Sequence, residues 1–252
     1  VPTKSGRRIH ITHGPGIRFR GARFAPDGKS LLALSDATGE FEFYQVPADG
    51  LAKPRQLSRD GKVFRYFPVR SPDGRWVAYR DKNYELWLLE IASGKSRRIG
   101  RSENYNFSDL SWAPDSRWLA YVVADENSND RIHVYNVERK THTPVTSDRY
   151  DSYSPTWSPD GRFLYFLSDR HLESLVSSPW GARQPEPFFD RTTQVFELSL
   201  RKKQRSPFRP GDETDTKSGK KKGGKTTRNP RNVLFRRCAA CPSISTPNPA
   251  SS

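Results

Sequence analysis

The chain has 252 residues, with 43 Lys and Arg against 28 Asp and Glu, for a formal net charge of +15. Residues 201–252 hold 14 of the basic residues and 3 of the acidic ones, so the first 200 residues carry only +4. A groove for nucleic acid needs its charge on the folded body, so this distribution argues for a near-neutral globular body with a basic tail, and against a nucleic-acid partner.

A body of about 200 residues is long enough to bury a substantial core. Its aromatic content, with six Trp, ten Tyr and fourteen Phe in the chain, offsets a hydrophobic fraction of only 33%. No run of 18 apolar residues occurs, which excludes a membrane-spanning helix. The first residues, Val1-Pro2-Thr3-Lys4, are polar and contain no leader-like apolar run. The only cysteines, Cys238 and Cys241, lie in the tail, so the body has no disulfide. Methionine is absent even at position 1: Val1 reads either as a GUG start or as a point inside a longer protein.

Four segments repeat in chain order: FAPDGKSLLALSD from Phe24, RSPDGRWVAYRDK from Arg70, WAPDSRWLAYVVAD from Trp112 and WSPDGRFLYFLSD from Trp157. Their prolines, Pro26, Pro72, Pro114 and Pro159, stand 46, 42 and 45 residues apart. In each, a strand end runs into a turn where Pro presets φ, Asp bonds back to the backbone and Gly accepts positive φ. Ser116 replaces that Gly in the third unit, and a slightly different turn is expected there. After each turn and its apolar strand comes an alternating strand, as in FEFYQVPADG from Phe41, ELWLLEIASGK from Glu85 and RIHVYNVERK from Arg131. A polar strand then closes the unit, such as Lys95–Ile99 or Thr141–Val145. Four short strands in every 42 to 46 residues is the blade of a β-propeller, so the fold class is all-β.

About four blades fit. Residues 1–19 read as the end of a preceding blade, because Lys4-Ser5-Gly6 and Arg7-Arg8-Ile9 align with Ala92-Ser93-Gly94 and Arg97-Arg98-Ile99. Residues 20–210 are the blades, and residues 211–252 are expected to be a disordered linker and tail. An incomplete ring leaves sheet edges unpaired, so a fragment of a longer protein is expected.

The turn repeat resembles the broad group of propellers that includes TolB and the prolyl oligopeptidases. The segment Ser147–Lys202 is more specific and resembles the tricorn protease family. Between its strands at Phe163–Phe166 and Val195–Leu198 lies a long insertion with Ser178-Pro179-Trp180-Gly181 and Gln184–Phe189, and Arg205-Ser206-Pro207-Phe208 resembles that family's exit from its second propeller. The resemblance covers about residues 1–213. It implies a soluble, cytoplasmic, homo-oligomeric serine peptidase in which this propeller filters peptides through a central channel, ahead of a helical region, a PDZ-like domain and a catalytic core. No segment after Glu213 matches those later parts, so the chain is expected to be inactive alone. The text from about Thr226 resembles no domain and is expected to follow a frameshift. The alternative is a non-catalytic, TolB-like propeller that binds protein partners.

Other motifs have plainer readings. Gly219–Thr226 fits the phosphate-loop pattern but lacks the flanking strand and helix that would aim its N–H groups. Cys238 and Cys241 have redox spacing without a βαβ setting or further zinc ligands. Asp125–Asp130 starts like a calcium loop, yet Asp130 stands where Gly is required and Asn136 where Glu is required, so a polar hairpin loop is expected. Asn106-Phe107-Ser108 is one short glycosylation match. His10, His13, His133, His142 and His171 are scattered, and no Ser, His and Asp set follows from spacing. Trp76, Trp87, Trp112, Trp118 and Trp157 recur at blade positions and read as inter-blade core. No catalytic, cofactor-binding or metal-ligating residue is nominated, and no cofactor. Channel arginines would steer peptide carboxylates, but one sequence does not tell which arginines face a channel.

Overall fold

The computed structural model describes residues 15–103, 105–171, 192–202 and 204–209, plus the short strands 174–175, 188–189 and 236–237. The described residues form strands and turns without a helix. Blade 1 consists of β1 (Phe19–Phe24), β2 (Ser30–Thr38), β3 (Glu40–Pro47) and β4 (Arg55–Gln56). Blade 2 follows with β5 (Arg65–Arg70), β6 (Trp76–Asp81), β7 (Glu85–Glu90) and β8 (Ser96–Arg101). Blade 3 holds β9 (Ser108–Trp112), β10 (Trp118–Ala124), β11 (Asp130–Asn136) and β12 (Thr141–Pro144). Each is an antiparallel four-stranded sheet in chain order.

Blade 4 begins with β13 (Ser152–Trp157) and β14 (Phe163–Ser168). The insertion contains one small ladder, β15 (Ser174–Leu175) on β16 (Phe188–Phe189); its Ser178–Gly181 segment lies outside the described residues. The sheet resumes with β17 (Gln194–Ser199), and its outermost place is taken by β18 (Arg236–Arg237), paired parallel to β17. Two residues of the expected tail therefore join blade 4. The rest of residues 210–252, with the Lys/Gly run and both cysteines, lies outside the described residues, as do residues 1–14.

The four repeated turns follow one local chemistry. Asp27, Asp73, Asp115 and Asp160 each accept a bond on Oδ1 from the N–H two residues on, at 3.0 Å in every case. Gly28, Gly74 and Gly161 lie at φ 68°, 76° and 66°. Ser116 corrects the sequence reading: it adopts the same turn at φ 59° rather than a different one. Left-handed backbone costs a non-Gly residue about 1 kcal/mol. Here the buried Ser116 hydroxyl accepts the N–H of Asp73 at 2.9 Å, a bond to the neighbouring blade that no glycine can make.

The middle strands of blades 2 and 3 are buried on both faces, because each of these blades packs between two others. Along β6, Val77 and Tyr79 pack towards Leu32, Leu34 and Phe43 of blade 1, while Ala78 packs towards Leu119 and Tyr121 of blade 3. Along β10, Leu119 and Tyr121 face blade 2, and Ala120 and Val122 face Leu164 and Phe166 of blade 4. Period-2 alternation thus serves two cores at once, and apolar runs such as WLAYVV result. Full burial stabilises by roughly 1.5–3 kcal/mol for each large apolar side chain. The five nominated tryptophans all lie in these seams: Trp112 is buried, and Trp76, Trp87, Trp118 and Trp157 are partly buried against the three clusters. At the exit segment, Ser206 Oγ donates to Glu197 at 3.1 Å and Phe208 stands edge-on to Tyr165.

Candidate functional site: an axial groove

The first strands of the blades, β1, β5, β9 and β13, run side by side from blade to blade. Trp112 Nε1 donates to the carbonyl of Val69, and Trp157 Nε1 to that of Ser111, each at 3.0 Å. Every first strand carries a bulge at the same place: register shifts fall between Arg20 and Arg23, between Tyr66 and Val69, opposite Ala120 and Val122, and between Tyr153 and Thr156. In three blades the bulge includes a left-handed residue five positions before the turn proline: Gly21 at φ 61°, Asp109 at 48° and Ser154 at 54°. Neighbouring bulges touch. Asp109 Oδ2 accepts the N–H of Ser154 at 2.8 Å, and a Cβ on Gly21 would lie 3.6 Å from Cδ of Pro68.

Blades 1 to 3 enclose a groove of about 490 Å³ along these strands. Its apolar wall includes Phe41, Phe64, Pro68 and Leu110. Phe41 and Phe64 meet edge to face at 5.1 Å, and the Arg20 guanidinium lies over both rings, 5.4 and 5.9 Å from their centroids. Arg80 lies 5.6 Å over Tyr66 and donates through Nη1 to the carbonyl of Phe107 at 2.7 Å. Burial lowers the Arg80 pKa, with Tyr66 and Asp109 opposing. Arg23 completes the basic rim.

Arg65, the next basic residue along the same class of strand, has a different fate. Nη1 reaches Glu42 Oε2 at 3.1 Å and Ser58 Oγ at 2.9 Å, and Nη2 reaches Asp60 at 2.7 Å. Arg65 is 5% exposed and Glu42 4%, so this ion pair is sealed in the seam between blades 1 and 2. Glu42 also accepts from Ser58 Oγ and from the N–H of Gly61, which satisfies both carboxylate oxygens.

The structure brings two of the five histidines together. Tyr121 OH meets Nδ1 of His142 at 2.8 Å, and the His133 ring stacks on Tyr121 at 5.5 Å. Burial, aided by nearby Arg131, pushes His133 down to about 4, and burial also lowers His142. Both belong to the packing between blades 2 and 3. His10 and His13 lie outside the described residues. The loop after Ala124 is a hairpin turn, as expected: Asp125 N–H donates to Asn129 and its carboxylate pairs with Arg131 at 2.7 Å. Among the described residues no cluster of three or more His, Cys, Asp or Glu stands at metal-binding distance. Sequence reasoning missed Arg20, Arg23 and the His133–Tyr121–His142 group. The available signal was the basic first strand FRGARF, whose positions relative to Pro26 match Tyr66 and Val69 relative to Pro72.

Residues 1–242 match the family described as the tricorn protease second β-propeller domain. The chain belongs to this family. It is 32% identical over 180 residues to tricorn protease homolog 1 of Streptomyces coelicolor, covering 69% of this chain and 17% of that protein. A tricorn protease homolog of Saccharolobus solfataricus is 29% identical over 168 residues, 67% of this chain and 15% of that protein. The crystal structure of the tricorn protease superposes with a TM-score of 0.66 at 18% identity, over 75% of this chain and 18% of that one, which supports the propeller fold. The chain thus spans less than a fifth of these tricorn proteins. A TolB homolog of Chlorobium chlorochromatii is 33% identical over 164 residues, 64% of this chain and 36% of that protein.

Proposed function

We propose that this propeller conducts and filters peptides for a tricorn-like serine peptidase, acts as a scaffold there, and has no peptidase activity by itself. The observation that carries this reading is the bulge repeated in all four first strands, three of which border the groove. An unbulged first strand would offer a row of free backbone groups, and an extended peptide would add to it as a further strand. A bulge breaks that row at one height in each blade, so a peptide slides past with short-lived contacts. The parent is proposed to be a homo-oligomer in the cytoplasm.

The test is photo-crosslinking with an unstructured, benzophenone-labelled decapeptide, read by mass spectrometry. Adducts on 19–24, 65–70 or 108–112 support conduction; adducts confined to β4, β8 or β12 overturn it. Incubation with fluorogenic peptides should release no fluorophore above buffer. Release abolished by a serine-directed inhibitor would refute the proposed inactivity. The TolB relative favours a second reading, a non-catalytic propeller that holds folded partners. Retention of a folded protein, but not of unfolded peptides, on the immobilised chain would support that reading instead.

A further inference from the structure

The groove's charge is not balanced by its own side chains. Asp109 acts electrostatically on Arg80, and its Oδ2 is engaged by Ser154. Arg20 and Arg23 are exposed, and among the described residues neither makes an ion pair or a side-chain hydrogen bond. Arg20 nevertheless has a set position, because its guanidinium rests on the Phe41 and Phe64 rings. A guanidinium held over aromatic rings and without an ion-pair partner keeps N–H groups available, and they match a carboxylate with two parallel bonds. Stacking also limits the rotamer freedom lost when an anion arrives. Beside it lies the cavity wall of Phe64, Pro68 and Leu110, apolar and wide enough for a large side chain.

We propose that this groove selects acidic peptides: Arg20 and Arg23 pair with a peptide carboxylate while the apolar wall holds a neighbouring side chain. This rests on the peptide-conducting reading above and adds a substrate class to it. A side-chain carboxylate and a chain-terminal carboxylate share the chemistry, and the experiment separates them.

The probes are four fluorescein-labelled hexapeptides, ending in Phe-Glu or Phe-Gln, each with a free or an amidated C-terminus. Binding to the full chain is followed by fluorescence anisotropy at low salt. The doubly neutral peptide is expected to bind weakly, and a peptide with a carboxylate about five- to tenfold more tightly, as one charge-assisted pair would provide. Comparing the free Phe-Gln peptide with the amidated Phe-Glu peptide identifies which carboxylate is read. Arg20→Gln, and more fully the Arg20→Gln/Arg23→Gln double variant, should bring the acidic-to-neutral ratio close to one. Lys29→Gln, which removes one charge from the exposed turn after β1, should leave the ratio intact. Equal binding of all four peptides, or an acidic preference that survives the double variant, overturns carboxylate selection and leaves peptide conduction standing. No binding of any peptide overturns both.

Discussion

Trp157 donates its indole N–H to the carbonyl of Ser111 at 3.0 Å, across the seam between blades 3 and 4. Trp112 repeats the contact one blade earlier, on Val69. The acceptor in each case lies three residues before the turn proline, and the donor two residues before the next one. The repeat in sequence is therefore also a repeat of inter-blade bonds. Trp112→Phe should keep most of the buried ring area but leave the Val69 carbonyl without its donor. A loss of about 1–2 kcal/mol is expected, read as a lower urea midpoint with an unchanged m-value. An unshifted midpoint would mean that water replaces the indole at no cost.

The sealed Arg65–Glu42 pair predicts strong non-additivity. Arg65→Met leaves the buried Glu42 carboxylate without its counter-ion and should cost about 3–5 kcal/mol, whereas Glu42→Leu leaves Arg65 its contact with Asp60 and should cost less. The double variant should cost clearly less than the sum, since no uncompensated charge remains. Urea unfolding of the four proteins gives the cycle. Additive losses would show that the pair does not act as a unit.

Ser116 offers a test of strain against bonding. Ser116→Ala keeps the left-handed backbone and loses the acceptor for Asp73 N–H, so a loss of about 1–2 kcal/mol is expected. Ser116→Gly loses the same bond but relieves the backbone, and should be the milder change by about 1 kcal/mol. Thermal unfolding ranks the two variants. Alanine at or above glycine would contradict the strain.

Stability should fall in mild acid because of His133. Its pKa in the folded chain is pushed from 6.5 down to about 4, first by burial and then by Arg131. Between those values the unfolded chain binds the proton and the folded chain does not. The stabilisation is complete above pH 6.5 and is lost as the pH falls towards 4, by up to about 3 kcal/mol. His142, lowered by burial, acts in the same direction. Asp125, held down by the N–H of Glu126 and by Arg131, adds its loss only below about pH 4. Unfolding free energies from pH 7 to 4 should slope less steeply in His133→Gln than in the parent chain. Parallel curves would remove His133 from the account.

Much of the fold could be read from the sequence because its determinants are local. An aspartate bonding two residues ahead, a residue at positive φ and an alternating strand need no distant partner, so Pro26, Pro72, Pro114 and Pro159 marked four blades directly. The expectation of a different turn at Ser116 failed for a non-local reason: the compensating donor, Asp73 N–H, is 43 residues away.

Which arginine does what was left to tertiary structure. Arg20 and Arg65 sit in equivalent first strands, six residues before Pro26 and seven before Pro72. That one-residue offset puts them on opposite strand faces, since side chains alternate with period 2. Arg20 comes to rest on Phe41 and Phe64 in the groove, and Arg65 is buried against Glu42 of the preceding blade. In the same way, His133 and His142 both reach Tyr121 only because β10, β11 and β12 lie side by side in one sheet. The sequence by itself determined the blade repeat, its turns and its two-faced strands. The sealed charges and those left open to a ligand were decided by how one blade packs against the next, since burial depends on neighbours dozens of residues away.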